Sequence, residues 1–154
     1  MSIIWGISAG AHDACLTVFN TIHDEVEFCS HSERFTKVKN DPFLGPDIIK
    51  HAIDNWGLPK EICWYEKPRG RIVRRLVTGQ KNVFDRALIR KLLFCLDARL
   101  DAALIKMPIV KIEHHKSHAA NAFYTSRRFD GFVRHRALVV VVDAIGELST
   151  VSVW

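Results

Sequence analysis

The first thirty residues contain three short strand-like segments, and this pattern constrains the fold more than any other feature of the sequence. Ser2–Ser8 is apolar and enters a small-residue turn, Ala14–Asn20 is a second apolar run, and Glu25–Ser30 alternates apolar and polar residues. Such runs, bounded by turn residues, predict β-strands. Because the connections are short, we expect the three strands to form an antiparallel meander.

Helices and further strands are predicted to follow the meander. After an irregular segment at His31–Pro46, a helix is expected from Pro46 to Trp56, because proline suits a helix start and Gly57 suits its C-terminal cap. The remaining predicted elements are, in order, a strand at Glu61–Glu66, two helical pieces in Arg71–Ile105 broken near Thr78-Gly79 with Leu96 on their apolar stripe, a strand at Ile109–Ile112, a helix from about His114 to about Ser126, a polar linker at 127–131, a buried central strand at Ala137–Val142 and a strand at Leu148–Trp154.

This order, βββαβαβα, resembles that of the ribonuclease-H-like α/β fold, and the final strand–turn–strand resembles the first hairpin of a second copy. Two such copies make the actin and sugar-kinase architecture, in which the first-hairpin turns hold phosphates. Here those turns would be Gly6–Asp13 and Asp143–Glu147. The predicted domains are a first lobe at 1–131, with a helical insertion at about 70–106, and the start of a second lobe at 132–154. Because isolated hairpins are marginal in water, we expect a fragment of a longer protein.

Composition places the chain among globular proteins. It has 154 residues, of which 48% are hydrophobic and 25% are charged. The sequence shows neither an apolar run long enough to span a membrane nor a signal peptide, so we expect a cytoplasmic protein without a membrane partner. The cysteines at 15, 29, 63 and 95 form no CxxC pair. We expect them to be reduced and mostly buried thiols, which suits the cytosol.

The net charge of +5 is unevenly distributed along the chain. The segment Lys67–Arg99 holds ten Lys or Arg residues and only two acids, Asp85 and Asp97. A basic segment is typical either of a solvated helix face or of a nucleic-acid contact. We favour the solvated face, because only Phe84 and Phe94 could supply the aromatic stacking on which single-stranded nucleic-acid binding relies.

Three of the eight histidines, His114, His115 and His118, fall within five residues at the start of a predicted helix. On a helix, His114 and His118 are i and i+4, so their imidazoles point the same way and can supply half of a transition-metal site. His115 is rotated by about 100° from that face, and Lys116 also lies off it. The alternative is that these histidines are ordinary polar residues at a helix start.

Five collinear motifs carry a resemblance to a known family. The motifs are Gly6-Ile7-Ser8 followed by His12-Asp13-Ala14, Glu33-Arg34-Phe35-Thr36-Lys37-Val38-Lys39, Tyr65-Glu66-Lys67-Pro68, His114-His115-Lys116-Ser117-His118-Ala119-Ala120-Asn121-Ala122-Phe123-Tyr124 and Asp143-Ala144-Ile145-Gly146-Glu147. Together they resemble the N-terminal part of the O-carbamoyltransferases that modify nodulation factors and aminoglycoside or cephem antibiotics. Ala144 departs from the family pattern, which has glycine at that position.

The resemblance implies transfer of a carbamoyl group from carbamoyl-adenylate to a hydroxyl of a small-molecule acceptor. In that family a downstream domain, absent from this chain, makes the adenylate from ATP and carbamoyl phosphate. The resemblance also implies a divalent metal, usually iron, held by two histidines and two aspartates. Here the ligands would be His114, His118 and Asp143, and the fourth would lie beyond Trp154.

The resemblance assigns further roles around the transferred group. His12 would be catalytic, either as a general base for the acceptor hydroxyl or as a donor to the developing oxyanion. Asp13 would orient His12 or shape the turn. Lys39 would lie near the phosphate, and the phosphate-binding turns would include Gly6, Ser8 and Gly146.

Two other functions are compatible with the residues. One is a nucleic-acid-associated module related to tRNA-modifying proteins, using the basic segment 67–99. The other is an inactive, metal-free ribonuclease-H-like fragment. Even if the chain belongs to a carbamoyltransferase, we expect the chain alone to be inactive.

Overall fold

The computed structural model describes residues 2–67, 88–125, 137–144 and 149–154, together with Val73, Leu76 and Gly79. The strands are β1 (Ile3–Ser8), β2 (Cys15–Asn20), β3 (Glu25–His31), β4 (Glu61–Trp64), β5 (Ile109–Lys111), β6 (Val140–Val142) and β7 (Val151–Val153). The helices are α1 (Glu33–Thr36), α2 (Pro46–Trp56), α3 (Leu88–Leu92), α4 (Ala98–Leu104) and α5 (His114–Thr125). The chain is thus a mixed α/β protein.

Contacts divide the chain into two compact units. The first comprises Met1–Trp64 and Asp85–Val110, and the second comprises Tyr65–Phe84 and Lys111–Trp154. The predicted division into lobes at 1–131 and 132–154 stays a prediction.

A five-stranded mixed sheet in the order β3-β2-β1-β4-β5 organises the first unit. Strand β2 pairs antiparallel with both β1 and β3, which confirms the predicted meander. Strand β4 pairs parallel with β1. Alternate side chains of β1, β2 and β4 are buried, as the period of two requires. The largest buried side chains of this face are Trp5 and Trp64.

Helix α2 closes the core of the first unit and has the predicted bounds. Its Ile48, Ile49 and Ala52 are fully buried, and the helix packs on β2. Gly57 follows its last residue with a φ of +81°, a conformation that side chains with a Cβ rarely adopt. Burial of each of the two isoleucines stabilises the fold by about 1.5–3 kcal/mol.

Two parts of the helical prediction are wrong within the described residues. Short helix α1 lies in the segment that was predicted to be irregular. The second helical piece is interrupted between α3 and α4, where Leu96 has a φ of +56° and is 94% exposed instead of facing the core. The side chain of Asp97 caps α4 by accepting hydrogen bonds from the N–H groups of Arg99 and Leu100, so a new helix begins there. Of the break predicted near Thr78-Gly79, Gly79 is described and lies in a turn with a φ of +66°, as a break there requires. Thr78 and the linker 127–131 lie outside the described residues.

The second unit contains α5 and the antiparallel hairpin of β6 and β7, in which Val141 pairs with Ser152. The pairing of the last two strands was therefore predicted correctly, although both are shorter than expected. The prediction of a fully buried central strand is wrong. Val141 is buried on the face that packs on α5, whereas Val140 and Val142 are exposed on the other face.

The cysteine prediction is confirmed only in part. All four thiols are free, but only Cys95 is buried, and Cys29 is exposed. Cys15 and Cys63 lie on strand positions that alternate with the buried ones. Cys29 lies on the edge strand β3, which has no buried residue. Most of the basic segment 67–99 lies outside the described residues. Within the described part of the chain, no helix is long and apolar enough to cross a membrane.

Candidate metal centre

Helix α5 positions the two histidines that were predicted to bind metal. The helix begins at His114, directly after β5 and a two-residue connection, so His114 and His118 are one turn apart on the same side. Their ring centroids lie 4.7 Å apart. Their Nε2 atoms are separated by 3.2 Å, so the two nitrogens face a common point.

Asp143 brings a carboxylate to the same point from the end of β6. Its backbone N–H donates to the carbonyl of Thr150 across the hairpin at 2.9 Å, and its Oδ1 accepts from the N–H of Ala144 at 2.7 Å. The other oxygen, Oδ2, is 2.8 Å from Nε2 of His114 and 3.8 Å from Nε2 of His118. One carboxylate oxygen is therefore held by its own turn, and the other is directed at both imidazoles.

The separations of these three donor atoms match those around a metal ion. All three lie within 4.8 Å of one another. Bonds of about 2.1 Å at tetrahedral angles place neighbouring ligand atoms about 3.4 Å apart. The observed separations of 2.8, 3.2 and 3.8 Å scatter around that value. Two imidazole nitrogens and one carboxylate oxygen also suit iron, zinc or manganese.

The electrostatics of the site favour the protonation states that metal binding requires. The His118 side chain is 52% exposed, and its partial desolvation lowers the pKa of the imidazole below its usual 6.5, with a further lowering from the neighbouring His114. Burial raises the pKa of the Asp143 carboxyl, but hydrogen bonds from His114 and the Ala144 N–H outweigh burial and bring the pKa below its usual 3.8. At neutral pH, His118 is thus neutral and Asp143 is charged, as ligands must be.

Neighbouring groups hold the start of α5 in place. The Ser117 hydroxyl donates to the carbonyl of Tyr65 at 3.1 Å, and Lys67 forms a 3.3 Å ion pair with Glu113. The Tyr65 ring packs edge-on against His114 at a centroid distance of 5.6 Å. Nδ1 of His114 is buried, with no hydrogen-bond partner among the described residues. The orientation of this ring therefore depends on packing and on Asp143.

His115 and Lys116 are not part of the cluster. His115 is buried, and its Nδ1 lies 2.8 Å from the Ser152 hydroxyl, which also accepts a 2.9 Å hydrogen bond from the indole N–H of Trp154. Although His115 is next to His114 in sequence, it therefore contacts β7 of the second unit and not the cluster. Lys116 lines a separate apolar cavity with Phe123.

The predicted catalytic histidine, His12, lies in the first unit. Its side chain is 75% exposed, and its Nδ1 is 2.7 Å from Oδ2 of Asp13. Asp13 also has a φ of +51°, so it both orients the imidazole and shapes the turn, which were the two roles left open for it. The contact fixes Nδ1 against the carboxylate and leaves Nε2 of His12 directed elsewhere.

The first predicted phosphate-binding turn begins later than expected. Gly6 and Ser8 are strand residues of β1, paired with Thr17 and Cys15 of β2. Two backbone N–H groups of the following turn already donate to protein carbonyls, that of Gly10 to Pro42 and that of Ala14 to Asp41, both at 2.8 Å. These two amides are not available to an anion. Gly146, from the second predicted turn, lies outside the described residues.

Lys39 lines an open cavity of about 530 Å³ with several other charged side chains. Its other polar lining residues are Asp13, His31, Glu33, Arg34, Lys37 and Asn40. The prediction singled out only Lys39, and the structure adds Arg34, Lys37 and His31 as cationic or ionisable groups. The signal for Arg34 and Lys37 was present in the basic motif Glu33–Lys39, in which Lys37 has a left-handed backbone conformation. His31 lies outside that motif.

The chain is similar over its full length to part of a longer protein. The chain is 31% identical to a Synechocystis sp. protein described as "Uncharacterized protein sll1178", over 180 aligned positions. The alignment covers 100% of this chain and 27% of that protein, so the chain spans about a quarter of its relative's length. No family model matches the chain. A search of the solved structures also finds no match.

Proposed function

We propose that this chain is the N-terminal part of a metal-dependent O-carbamoyltransferase. The observation that carries the proposal is the convergence of His114, His118 and Asp143, three donor atoms within 4.8 Å of one another from two separate elements. The family motifs that these residues belong to support the proposal. The antiparallel meander followed by a strand parallel to β1 supports a ribonuclease-H-like lobe.

The residues of the cluster would hold a divalent metal, iron according to the family resemblance. A metal bound there would act as a Lewis acid on a carbonyl or phosphate oxygen of carbamoyl-adenylate. Asp143 contributes negative charge, and His114 and His118 contribute imidazole nitrogen donors. The helical spacing of the histidines and the hairpin turn orient all three before a metal arrives, which limits the ordering that binding requires.

His12 would act on the acceptor hydroxyl or on the developing oxyanion. Because Asp13 holds Nδ1, the free Nε2 can accept the hydroxyl proton as a general base or donate a hydrogen bond to the developing oxyanion. Lys39, with Arg34 and Lys37, would offset the phosphate charge of the adenylate in the cavity that these three residues line. The family resemblance implies that the adenylate-forming step would belong to a longer protein.

Metal binding tests the first part of the proposal. Iron(II), added without oxygen, is expected to bind the purified chain in a titration followed by elemental analysis. His114→Ala, His118→Ala and Asp143→Asn should each weaken binding by more than about 10-fold, because removing a ligand exceeds the effect of removing a supporting partner. His23→Ala, in the exposed turn between β2 and β3, is the matched control and should bind as the unmodified chain does. Equal iron content in all four variants would exclude the site.

Activity tests the second part and requires the longer protein. With ATP, carbamoyl phosphate and a panel of sugar and antibiotic hydroxyl acceptors, it should form carbamoylated products detectable by mass spectrometry. His12→Ala should reduce the rate by about 100-fold or more, which is typical of losing a general acid–base group. Metal binding without transfer to any acceptor would retain the site and refute the carbamoyltransferase.

A further inference from the structure

Two cysteines on neighbouring strands of the first unit lie in sulfur–sulfur contact. Cys15 begins β2 and Cys29 lies near the end of β3, and their Sγ atoms are 3.8 Å apart. The register pairs Cys15 with His31 and Thr17 with Cys29. Directly opposed residues of antiparallel strands project to the same face, so all four side chains share the face opposite the core.

The two thiols differ in their hydrogen bonds and in their exposure. Its hydroxyl donates a hydrogen bond to Sγ of Cys29 at 3.2 Å, whereas Cys15 is available to donate its own S–H to the same sulfur. The hydrogen bond from Cys15 and that from Thr17 lower the pKa of Cys29 to about 5, and the pKa of Cys15 is raised. Cys29 is also the exposed thiol, and Cys15 is only half-buried.

We propose that Cys15 and Cys29 are an oxidisable pair that a low-molecular-weight disulfide, such as oxidised glutathione, converts into an intramolecular disulfide. The exposed Cys29 thiolate attacks one sulfur of the small disulfide, forming a mixed disulfide and releasing one small thiolate. Cys15 then loses its proton and attacks Sγ of Cys29, which releases the second small thiolate. The two protons of the protein thiols leave on the two small thiols, so the small disulfide is reduced by two electrons.

The geometry assigns the attacking and resolving roles. Attack requires an accessible sulfur, which the exposed Cys29 provides, and resolution requires a second sulfur in contact with the first, which Cys15 provides. The sulfur atoms must approach from 3.8 Å to bonding distance. Cys15 and Cys29 are diagonal in the register, and diagonal Cα atoms lie about 7–8 Å apart, beyond the roughly 7 Å that a disulfide spans without backbone movement. Closing the bond therefore requires the two strands to shift locally, and we expect a strained disulfide that dithiothreitol reduces readily.

The other two cysteines provide matched controls. Cys63 lies on the same face of the sheet, but its strand, β4, pairs with β1 at Gly6 and is two strands away from Cys15. Burial raises the pKa of the Cys63 thiol. Cys95 is buried, and its pKa is raised to about 12, chiefly by burial. Neither has the combination of exposure, thiolate character and a neighbouring sulfur.

The test is titration of the folded 154-residue chain with oxidised and reduced glutathione, followed by non-reducing mass spectrometry. The unmodified chain should lose two hydrogen atoms without retaining glutathione, and proteolysis should yield one cross-linked peptide pair containing Cys15 and Cys29. Cys63→Ser should behave identically. Cys15→Ser should stop at a glutathione adduct on Cys29, and Cys29→Ser should react far more slowly.

Three results would overturn the proposal. These are a stable glutathione adduct on Cys29 of the unmodified chain, a disulfide that involves Cys63 or Cys95, and loss of two hydrogen atoms in Cys29→Ser. Peptide mapping of the unmodified chain decides the matter even where a variant fails to fold. This inference does not depend on the proposed carbamoyltransferase, because none of its residues belongs to the metal cluster.

Discussion

Single side chains at the metal cluster and at the thiol pair have protonation states that their neighbours determine. The pKa of His118 is lowered, which keeps its imidazole neutral, and the pKa of Asp143 is lowered, which keeps its carboxylate charged. Cys29 is shifted toward the thiolate by the hydrogen bonds from Cys15 and Thr17. These shifts are consequences of contacts between strands and helices, so they yield predictions that single substitutions can test.

The metal-free protein is expected to lose stability as pH falls below the usual pKa of His118. Because the folded-state pKa lies below 6.5, the unfolded chain binds the proton more readily, and acidification favours unfolding. Urea unfolding at about pH 7.5 and about pH 5.5 measures the effect. His118→Gln should lose less stability over this interval than the unmodified chain. An equal or greater loss in the variant would contradict the lowered pKa of this imidazole.

Thr17→Val should raise the pKa of Cys29, because it removes a hydroxyl that donates to the sulfur and keeps the β-branched shape. The rate of iodoacetamide alkylation against pH gives the pKa directly. For the unmodified chain we expect a midpoint near the value of about 5, with Cys15 and His31 as the neighbouring ionisable groups. Thr17→Ser, which retains the hydroxyl, is the control. An unchanged midpoint in Thr17→Val would mean that the hydroxyl does not lower the pKa of Cys29.

Among the elements, the hairpin of β6 and β7 differs most from its sequence pattern. A run of consecutive valines predicts a strand buried on both faces. Strand β6 instead has one face against α5 and one face exposed, so neighbouring valines of the same strand have unequal environments. Ser152 opposes Val141 in the register, so it lies on the same face of the hairpin, where its hydroxyl contacts His115.

Val141→Ala should destabilise the protein, and Val142→Ala should have little effect. Val141 is 7% exposed and Val142 is 76% exposed, so only the first substitution removes buried methyl groups. We expect a loss of about 1–2 kcal/mol for Val141→Ala and less than about 0.5 kcal/mol for Val142→Ala. Chemical denaturation of both variants provides the comparison. Similar losses would mean that both faces of β6 are covered.

For the whole molecule, the proposed metal links the candidate site to stability. A ligand that binds the folded state and not the unfolded state stabilises it in proportion to the logarithm of its concentration. The cluster joins α5 to the end of β6, two elements of the second unit that are 29 residues apart in sequence at the contact of His114 with Asp143. Metal binding would therefore close a long loop within that unit.

Adding iron(II) without oxygen should raise the Tm of the unmodified chain, and a chelator should reverse the change. At a metal concentration about 100 times the Kd, the stabilisation is about 2.7 kcal/mol. His114→Ala should show no such increase, because it lacks a ligand from the centre of the cluster. Differential scanning calorimetry with and without metal gives both values. Equal increases in the unmodified chain and in His114→Ala would assign the effect to another site.

Local patterns in the sequence were sufficient for the meander, for α2 with its Gly57 cap, and for the placement of His114 and His118 on one side of a helix. Each depends on the period of two or of 3.6 residues and on residues that favour turns, so neighbouring residues contain the necessary information. Asp143 came from the family resemblance and not from spacing. No periodicity relates it to a helix 29 residues earlier.

Tertiary structure alone decided the remaining features. It directed the Asp143 carboxylate between the imidazoles, turned His115 toward Ser152, exposed Leu96, and brought Cys29 within 3.8 Å of Cys15. The cysteine pair depends on the register of β2 against β3, and a shift of one residue would place one sulfur on the opposite face. Contacts between distant segments follow from how faces pack together, whereas local periodicity specifies only which face each residue occupies.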